Sequence, residues 1–111
     1  RPFWVALHDG DVVGCVGLDR LDAKVGILRA LFLAEDVRGD YGLGTALLRA
    51  LLTEARAEAH AEVVLESHAS LRSAHRFYER AGFSRMEPDD RPAGFAGTAR
   101  ENVGFRLALP P

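Results

Sequence analysis

The stretch VRGDYGLGTALLRALL (37–52) places three glycines directly before one of the best helix-forming segments of the chain. Past the glycines, apolar residues recur with the period of a helix, and this stripe consists of Leu43, Leu47, Leu48, Leu51, Leu52 and Ala55. An ordinary turn needs fewer glycines, so the spacing G-x-x-G-x-G indicates that something approaches this backbone closely. Because the first N–H groups of a helix attract anions, a phosphate-bearing ligand is expected. The alternative is a tight turn that only lets the helix pack closely on the preceding strand.

Two common phosphate-binding motifs do not fit this stretch. A P-loop requires Gly-Lys-Ser or Gly-Lys-Thr before its helix, whereas Gly44 is followed by Thr45 and Ala46. The dinucleotide fingerprint G-x-G-x-x-G could start at Gly42, but it requires a glycine where Leu47 stands. The glycines therefore need another explanation, which has to come from the rest of the chain.

Apolar runs and apolar–polar alternation predict strands at 3–8, 12–18, 25–33, 62–67 and 103–109. Asp9-Gly10 is a hairpin signal, so the first three strands should form an antiparallel meander. The segment 25–33 should be central because it is apolar on both faces. A strand, the long helix and another strand follow each other along the chain, which predicts a crossover with parallel pairing.

A second helix is predicted from Ser70, its N-cap, to Gly82, the left-handed residue after its end. Residues 88–102 are predicted to form a mobile loop because they contain several prolines and glycines. The fold class is therefore α+β, a mixed sheet with helices packed on it. Residues 1–111 are interpreted as a single domain.

Composition argues against several classes of function. The formal net charge of −2 is atypical of nucleic-acid-binding proteins, which usually carry a basic surplus. No apolar run approaches the roughly 20 residues of a membrane-spanning helix, and no signal-peptide pattern opens the chain. The single cysteine, Cys15, excludes an internal disulfide and favours a reducing, cytoplasmic location. The four histidines lack metal-ligand spacing, so no metal is expected.

A second stretch, SAHRFYERAGF (73–83), identifies the glycine segment. LFLAEDVRGDYGLGTALLRAL (31–51) resembles the coenzyme A loop of the GNAT superfamily of N-acetyltransferases, and 73–83 resembles that superfamily's Ala-x-x-Phe-Tyr-x-x-x-Gly-Phe signature. The resemblance covers residues 3 to about 109 and implies an acetyl-CoA-dependent N-acetyltransferase acting by direct attack of a neutral amine. It implies a mostly antiparallel sheet of about six strands with two helices, opened in a V between two central strands. It also implies that the first strand and two helices of the family pattern are missing from this sequence.

The resemblance assigns roles to individual residues. The backbone of Phe32 and Leu33 would pair with the pantetheine arm, and Ser70 or Ser73 would hydrogen-bond to it. Tyr78 would protonate the departing thiolate, since a tyrosine with an ordinary pKa of about 10 keeps its proton at neutral pH. The residues that would surround the pyrophosphate are Arg38, Gly39, Gly42, Leu43, Gly44 and Thr45.

The acceptor side offers fewer candidates. Glu35, Glu66 and His68 are the nearest possible bases for a neutral amine, although each could instead be an exposed residue without a role. His75 is expected to face solvent because the apolar stripe of its helix omits it. Arg29 interrupts the central strand, so it either pairs with a carboxylate or holds an anionic acceptor. The segment ILRALFL resembles a strand of acetyltransferases linked to arsenic resistance and amino-acid-like toxins, which implies a small carboxylate-bearing amine as the acceptor. Arg29 and Glu66 are therefore the candidate substrate contacts.

Two alternative functions stay open, and the sequence also predicts an oligomeric state. The chain could be a catalytically silent acyl-CoA-binding or assembly module of the same fold, or a nucleotide-binding protein. The strand 3–8 would lie at an exposed sheet edge, and an unpaired edge invites pairing with another chain, so a homodimer is expected. The remaining expected partner is a small-molecule amine acceptor, with no nucleic acid and no membrane.

Overall fold

The Asp9-Gly10 turn joins the first two strands, and its two residues adopt positive φ angles of 51° and 85°. This is the backbone of a tight hairpin turn, which glycine adopts without strain and aspartate tolerates. The predicted meander is confirmed. Strand β1 (Phe3–His8) pairs antiparallel with β2 (Asp11–Arg20), and β2 pairs antiparallel with β3 (Val25–Leu33).

The computed structural model of the chain describes residues 1–35, 42–95 and 102–111. After β3 its elements are α1 (Leu43–Ala57), β4 (Glu62–His68), α2 (Arg72–Arg80), β5 (Ser84–Met86), a 3-10 helix (Pro88–Asp90) and β6 (Asn102–Ala108). The strands form one six-stranded sheet in the order β1-β2-β3-β4-β6-β5. The predicted α+β class, with about six mostly antiparallel strands and two helices, is confirmed.

Helix α1 is the crossover between β3 and β4, the two central strands. These strands pair in parallel over Val25–Ile27, as the order of elements predicted. The apolar stripe of α1 packs on the sheet, with Leu47, Leu48, Leu51 and Ala55 buried. They join Phe105 of β6 in the larger of two core clusters, and burying each large side chain contributes roughly 1.5–3 kcal/mol. We call this side of the sheet the helix face.

The opposite side of the sheet, the open face, has a smaller core. Val25, Ile27 and Val64 pack there against Met86 and Phe95. Further along this face towards β1, large apolar side chains are exposed. They are Phe3, Val5, Leu7, Val12 and Phe32. The second half of β3 is therefore not covered on both faces, which corrects the prediction made from its apolar sequence.

Helix α2 differs from prediction at its start and agrees at its end. Its N-cap is Leu71, because the Ser70 hydroxyl lies 2.7 Å from His68 Nδ1 and gives no cap bond to the helix. At the other end Gly82 has a φ of 104°, and the N–H of Phe83 donates to the carbonyl of Tyr78, as the motif requires. The short strand β5 (Ser84–Met86) was not predicted, since three residues carry too little pattern.

The segment predicted as a loop over 88–102 contains the 3-10 helix and the buried ring of Phe95, which is 8% exposed. Strand β6 begins at Asn102, inside that prediction. Phe95 packs against Ile27 and Val64 on the open face, so this one residue of the predicted loop belongs to the core.

Candidate active site

The central strands separate after Ile27, and this gap between β3 and β4 is the opening referred to below. Parallel pairing stops at Ile27 and Val64, although both strands continue. The cavity there has a volume of about 660 Å³. Its lining combines residues of β3, β4 and α2 with Gly94 and Phe95, so the opening reaches both faces of the sheet. This is the V-shaped gap that the sequence resemblance implied.

A β-bulge at Ala30 shapes the β3 side of the opening. Gly17 pairs with Arg29 and Cys15 with Phe32, so two β3 residues stand opposite one residue of β2. Ala30 has a φ of 58°, a left-handed conformation that costs an L-residue about 1–2 kcal/mol. No sequence signal marked this bulge, because alanine has no preference for that conformation.

The bulge also orients a peptide group. The Cys15 thiol donates to the Ala30 carbonyl at 3.2 Å, so that carbonyl points towards β2. The C=O and N–H of one planar peptide point in opposite directions. The N–H of Leu31 is therefore directed away from the Cys15 thiol.

Alternation along the strands divides the lining of the opening between the two faces of the sheet. Leu28 belongs to the helix-face core, together with Tyr78 of α2. Ile27 belongs to the open-face core, and Arg29 follows it two residues later on the same face. On β4, Glu66 and His68 alternate with the helix-face residues Leu65 and Ser67. The helix side of the opening is thus largely apolar, and the open side carries the charged groups.

Tyr78 lies on the helix side of the opening and is 6% exposed. Its ring packs against Phe77, Phe83 and Phe105, with centroid separations of 5.7, 5.8 and 5.8 Å. Burial raises the pKa of Tyr78 to about 12, because the surrounding apolar rings destabilise the phenolate. The hydroxyl therefore keeps its proton throughout the neutral range while it lines the opening.

Among the described residues, no side chain caps the N-terminus of α1. Gly42 is the N-cap residue with a φ of 64°, and its carbonyl accepts the first helical bond, from Ala46 N–H. The first turn carries no acidic residue, and the exposed Thr45 lies in it. The N–H groups of the first turn, which include those of Leu43, Gly44 and Thr45, are therefore suited to an anion.

Gly44 has a packing reason as well. A Cβ atom there would lie 3.1 Å from a Leu33 methyl group and 3.4 Å from the Phe77 ring. Close packing thus explains Gly44, while the first N–H groups of α1 still fit the interpretation as an anion site. The predicted pyrophosphate contacts Arg38 and Gly39 lie outside the described residues.

The predicted pantetheine contacts occupy the end of β3 and the start of α2. Phe32 and Leu33 pair in register with Cys15 and Gly14 of β2. Ser73 is exposed in the first turn of α2, where its hydroxyl accepts a hydrogen bond from Arg76 Nη2 at 3.2 Å. These positions stay predictions for coenzyme A contacts.

Arg29 meets a carboxylate on its own side of the opening. Its Nε donates to Asp19 Oδ2 at 2.8 Å, and Arg1 Nε lies 3.1 Å from Asp19 Oδ1. Burial by itself raises the pKa of Asp19. The hydrogen bonds from Arg29 and the Arg20 N–H, with the charges of Arg1 and Arg29, outweigh burial and hold that pKa below its usual value.

Glu66 lies on β4 and is held by two partners. Arg91 Nη1 donates to its Oε2 at 2.7 Å, and Asn102 Nδ2 donates to its Oε1 at 2.6 Å. Its side chain is 20% exposed, so it is not the freely solvated residue that the sequence also allowed. Both carboxylate oxygens of Glu66 are thus used in hydrogen bonds, which connect β4 to Arg91 and to Asn102 at the start of β6. Sequence reasoning missed Arg91 and Asn102 because they lie at the two ends of the predicted loop.

The two neighbouring histidines have different environments. His68 Nδ1 accepts the Ser70 N–H at 3.1 Å, so its neutral ring carries the proton on Nε2 and presents a donor. His75 is 3% exposed, with Nε2 donating to the His68 carbonyl at 3.0 Å and its ring 5.1 Å from Phe105. The prediction that His75 faces solvent was wrong, because this carbonyl satisfies the ring on the buried side of α2. Glu35 is exposed beyond the end of β3.

Within the described ranges, no group of three or more His, Cys, Asp or Glu side chains is arranged to hold a metal ion. None of the helices described here is long and apolar enough to cross a membrane.

Known proteins resemble this chain in sequence and in structure. The family model described as acetyltransferase (GNAT) domain matches residues 1–85. The N-acetylaspartate synthetase of Danio rerio is 36% identical over 108 residues, which are 95% of this chain and 38% of that protein. The probable N-acetyltransferase camello of Xenopus tropicalis is 36% identical over 93 residues, 82% of this chain and 42% of that protein. The chain thus spans less than half the length of these relatives.

An acetyltransferase from Streptococcus agalactiae 2603 superimposes with a TM-score of 0.90 at 30% identity, covering 96% of this chain and 66% of that one. Rv2747 from Mycobacterium tuberculosis, solved in complex with CoA, superimposes with a TM-score of 0.80 at 25% identity. That match covers 96% of this chain and 75% of the other.

Proposed function

The chain belongs to the acetyltransferase (GNAT) domain family, and on this premise we propose that it transfers an acetyl group from acetyl-CoA to the primary amine of a small molecule. The observation that carries the proposal is the opening between β3 and β4, which reaches both faces of the sheet and has the Tyr78 hydroxyl on its helix side. The similarity to a structure solved in complex with CoA supports acetyl-CoA as the donor.

In the proposed complex, the pyrophosphate binds at the N-terminus of α1, where the first N–H groups and the positive end of the helix dipole favour an anion. The pantetheine arm then runs along the end of β3 into the opening. This places the thioester near the bulge at Ala30, where the N–H of Leu31 can donate to the thioester oxygen as negative charge develops on it.

The chemical step is direct attack of the neutral amine nitrogen on the thioester carbon. A C–N bond forms, the C–S bond breaks, and the thiolate of coenzyme A takes the proton of the Tyr78 hydroxyl. The proton released by the amine returns to Tyr78 through solvent, so the products are the acetylated amine and coenzyme A.

The acceptor is proposed to enter from the open face, because the donor approaches from the helix side. Arg29 is the charged group that would hold an anionic part of the acceptor, and Glu66 shapes the opposite wall through Arg91. The similarity to an N-acetylaspartate synthetase supports a carboxylate-bearing amine as the class of acceptor.

The test combines a binding and a turnover measurement. Acetyl-CoA at millimolar concentration should raise the melting temperature, and an amine panel should release free coenzyme A. Tyr78→Phe should slow turnover by about 10²-fold or more while the acetyl-CoA shift persists, because the proton donor is lost and the binding surface is not. Ser84→Ala, which removes an exposed hydroxyl on β5, is the matched control and should leave both values unchanged.

Absence of any acetyl-CoA shift would refute the proposal. A shift without turnover on every amine would favour the catalytically silent acyl-CoA-binding module. A shift with ATP or NAD but none with coenzyme A would favour a nucleotide-binding protein.

We further propose that the protein forms a homodimer through β1. This strand lies at the edge of the sheet, and its Phe3, Val5 and Leu7 side chains are more than half exposed. Light scattering on a sizing column should give twice the mass of the chain, and Val5→Lys should lower it to the mass of a monomer. A monomeric wild-type protein would contradict the proposal.

A further inference from the structure

We infer that the acceptor is an amine carrying a single carboxylate and an apolar side chain, bound on the open face of the opening. The inference rests on the acetyl transfer proposed above and specifies its substrate. Three features of the opening carry it: one excess positive charge, a neutralised acidic wall, and an apolar closed end.

The positive charge comes from the pair around Asp19. Arg29 lines the opening, and its bond to Asp19 uses Nε, so its two Nη groups have no acceptor among the residues that the structure describes. Arg1 approaches the same carboxylate at 3.1 Å, which places two cations against one anion. The remaining charge of +1 matches one carboxylate, and a guanidinium can bind it with two parallel hydrogen bonds.

Among the residues that the structure describes, the opposite wall adds no unpaired arginine or lysine. By extension of the parallel register from Ile27 and Val64, Glu66 stands across the opening from Arg29. Its charge is balanced by Arg91, and both its oxygens already accept hydrogen bonds. His68 also lines the opening, and because its Nδ1 accepts the Ser70 N–H, its Nε2–H is the donor that it can offer. A second carboxylate on the acceptor would therefore face Glu66, and the described lining of the opening holds no unpaired arginine or lysine to bind it.

The closed end of the opening is apolar. Ile27 and Phe95 are 4% and 8% exposed, and Leu21 packs beside them as the partly buried member of the same cluster. All three line the cavity on the open face. An apolar side chain of the acceptor would be removed from water there, whereas a charged one would lose its hydration without a partner.

The experiment compares L-leucine, L-leucinamide and L-aspartate as acceptors, by coenzyme A release at saturating acetyl-CoA. Leucinamide lacks the carboxylate and aspartate has a second one. We expect kcat/KM for leucine to exceed that for each of the other two at least tenfold. Equal or better use of aspartate or leucinamide by the wild-type protein would overturn the inference while leaving the acetyl transfer intact.

Two variants test the assignment of groups. Arg29→Met keeps the side-chain length and removes the charge, so it should lower kcat/KM for leucine at least tenfold and leave leucinamide unchanged. Arg80→Met, an exposed arginine at the end of α2, is the control. Leu21→Lys places a cation at the apolar end, so it should raise the aspartate-to-leucine ratio at least tenfold. An equal loss for leucine and leucinamide in Arg29→Met would contradict the inference.

Binding separates this inference from the proposed reaction. Calorimetric titration of leucine into the protein saturated with coenzyme A should show binding. Arg29→Met should weaken the affinity for leucine at least tenfold, and aspartate should bind the wild-type protein more weakly than leucine does. Such binding without turnover would refute acetyl transfer and keep the acceptor site. Turnover on other amines without leucine binding would refute the proposed acceptor and keep acetyl transfer.

Discussion

The two faces of the sheet are built from the same strands, but one contains most of the hydrophobic core and the other carries charged groups. On the helix face, α1 and α2 cover a continuous core in which Leu51 and Phe105 are fully buried. On the open face the buried cluster is confined to the neighbourhood of Phe95, and Phe32 is 56% exposed. Because successive strand residues alternate between faces, one sequence can place stability on one side and charged groups on the other. Tyr78 lines the opening on the helix side and Arg29 lines it on the open side.

The largest expected effect compares two phenylalanines, one on each face. Phe105→Ala removes a fully buried ring and should lower the free energy of unfolding by about 3–5 kcal/mol. Phe32→Ala, the matched change on the open face, removes a half-exposed ring and should cost less than about 1 kcal/mol. Urea unfolding of both variants measures the difference. Similar losses would show that the open face contributes as much to stability as the helix face.

An intermediate effect concerns the pH dependence that Tyr78 brings to the helix face. Burial raises the pKa of Tyr78 to about 12, whereas in an unfolded chain it is about 10. The folded state therefore binds this proton more tightly, and the contribution to stability is complete below pH about 10 and lost as the pH rises from about 10 to 12. The shift corresponds to about 3 kcal/mol.

Urea unfolding of the wild-type protein and of Tyr78→Phe between pH 8 and pH 11.5 isolates this contribution. The wild-type protein should lose stability relative to the variant across the alkaline range. Parallel curves for the two proteins would mean that Tyr78 is not as well shielded from water as its packing indicates.

The smallest effect compares two alanines in the left-handed conformation. Ala30 lies in the β3 bulge with a φ of 58°, and Ala59 follows α1 with a φ of 61°. Each change to glycine should raise stability by roughly 0.5–1 kcal/mol, because glycine adopts this conformation without the steric cost. Only Ala30→Gly should lower turnover, by a few-fold, since the bulge orients the Leu31 N–H. An equal effect of both variants on turnover would show that the bulge has no specific role in catalysis.

Local signals in the sequence were sufficient for much of the fold. Asp9-Gly10 predicted its hairpin, the leucine stripe predicted α1, and Gly82 predicted the end of α2, because each depends on the conformation of a few neighbouring residues. Ser70 as N-cap and the exposed His75 were wrong because both depend on contacts with the end of β4. The glycine segment was recognised from its spacing, although Arg38 and Gly39 lie outside the described residues.

The sequence by itself determined both helices, five of the six strands, the parallel crossover and the identity of the two family signatures. The tertiary structure decided which groups share the opening: the bulge at Ala30, the pairing of Arg29 with Asp19, and the clamp of Glu66 by Arg91 and Asn102. These partners are ten to thirty-six residues apart in the chain. Periodicity and turn preference describe near neighbours along the chain, whereas such pairs form only once the strands are placed side by side.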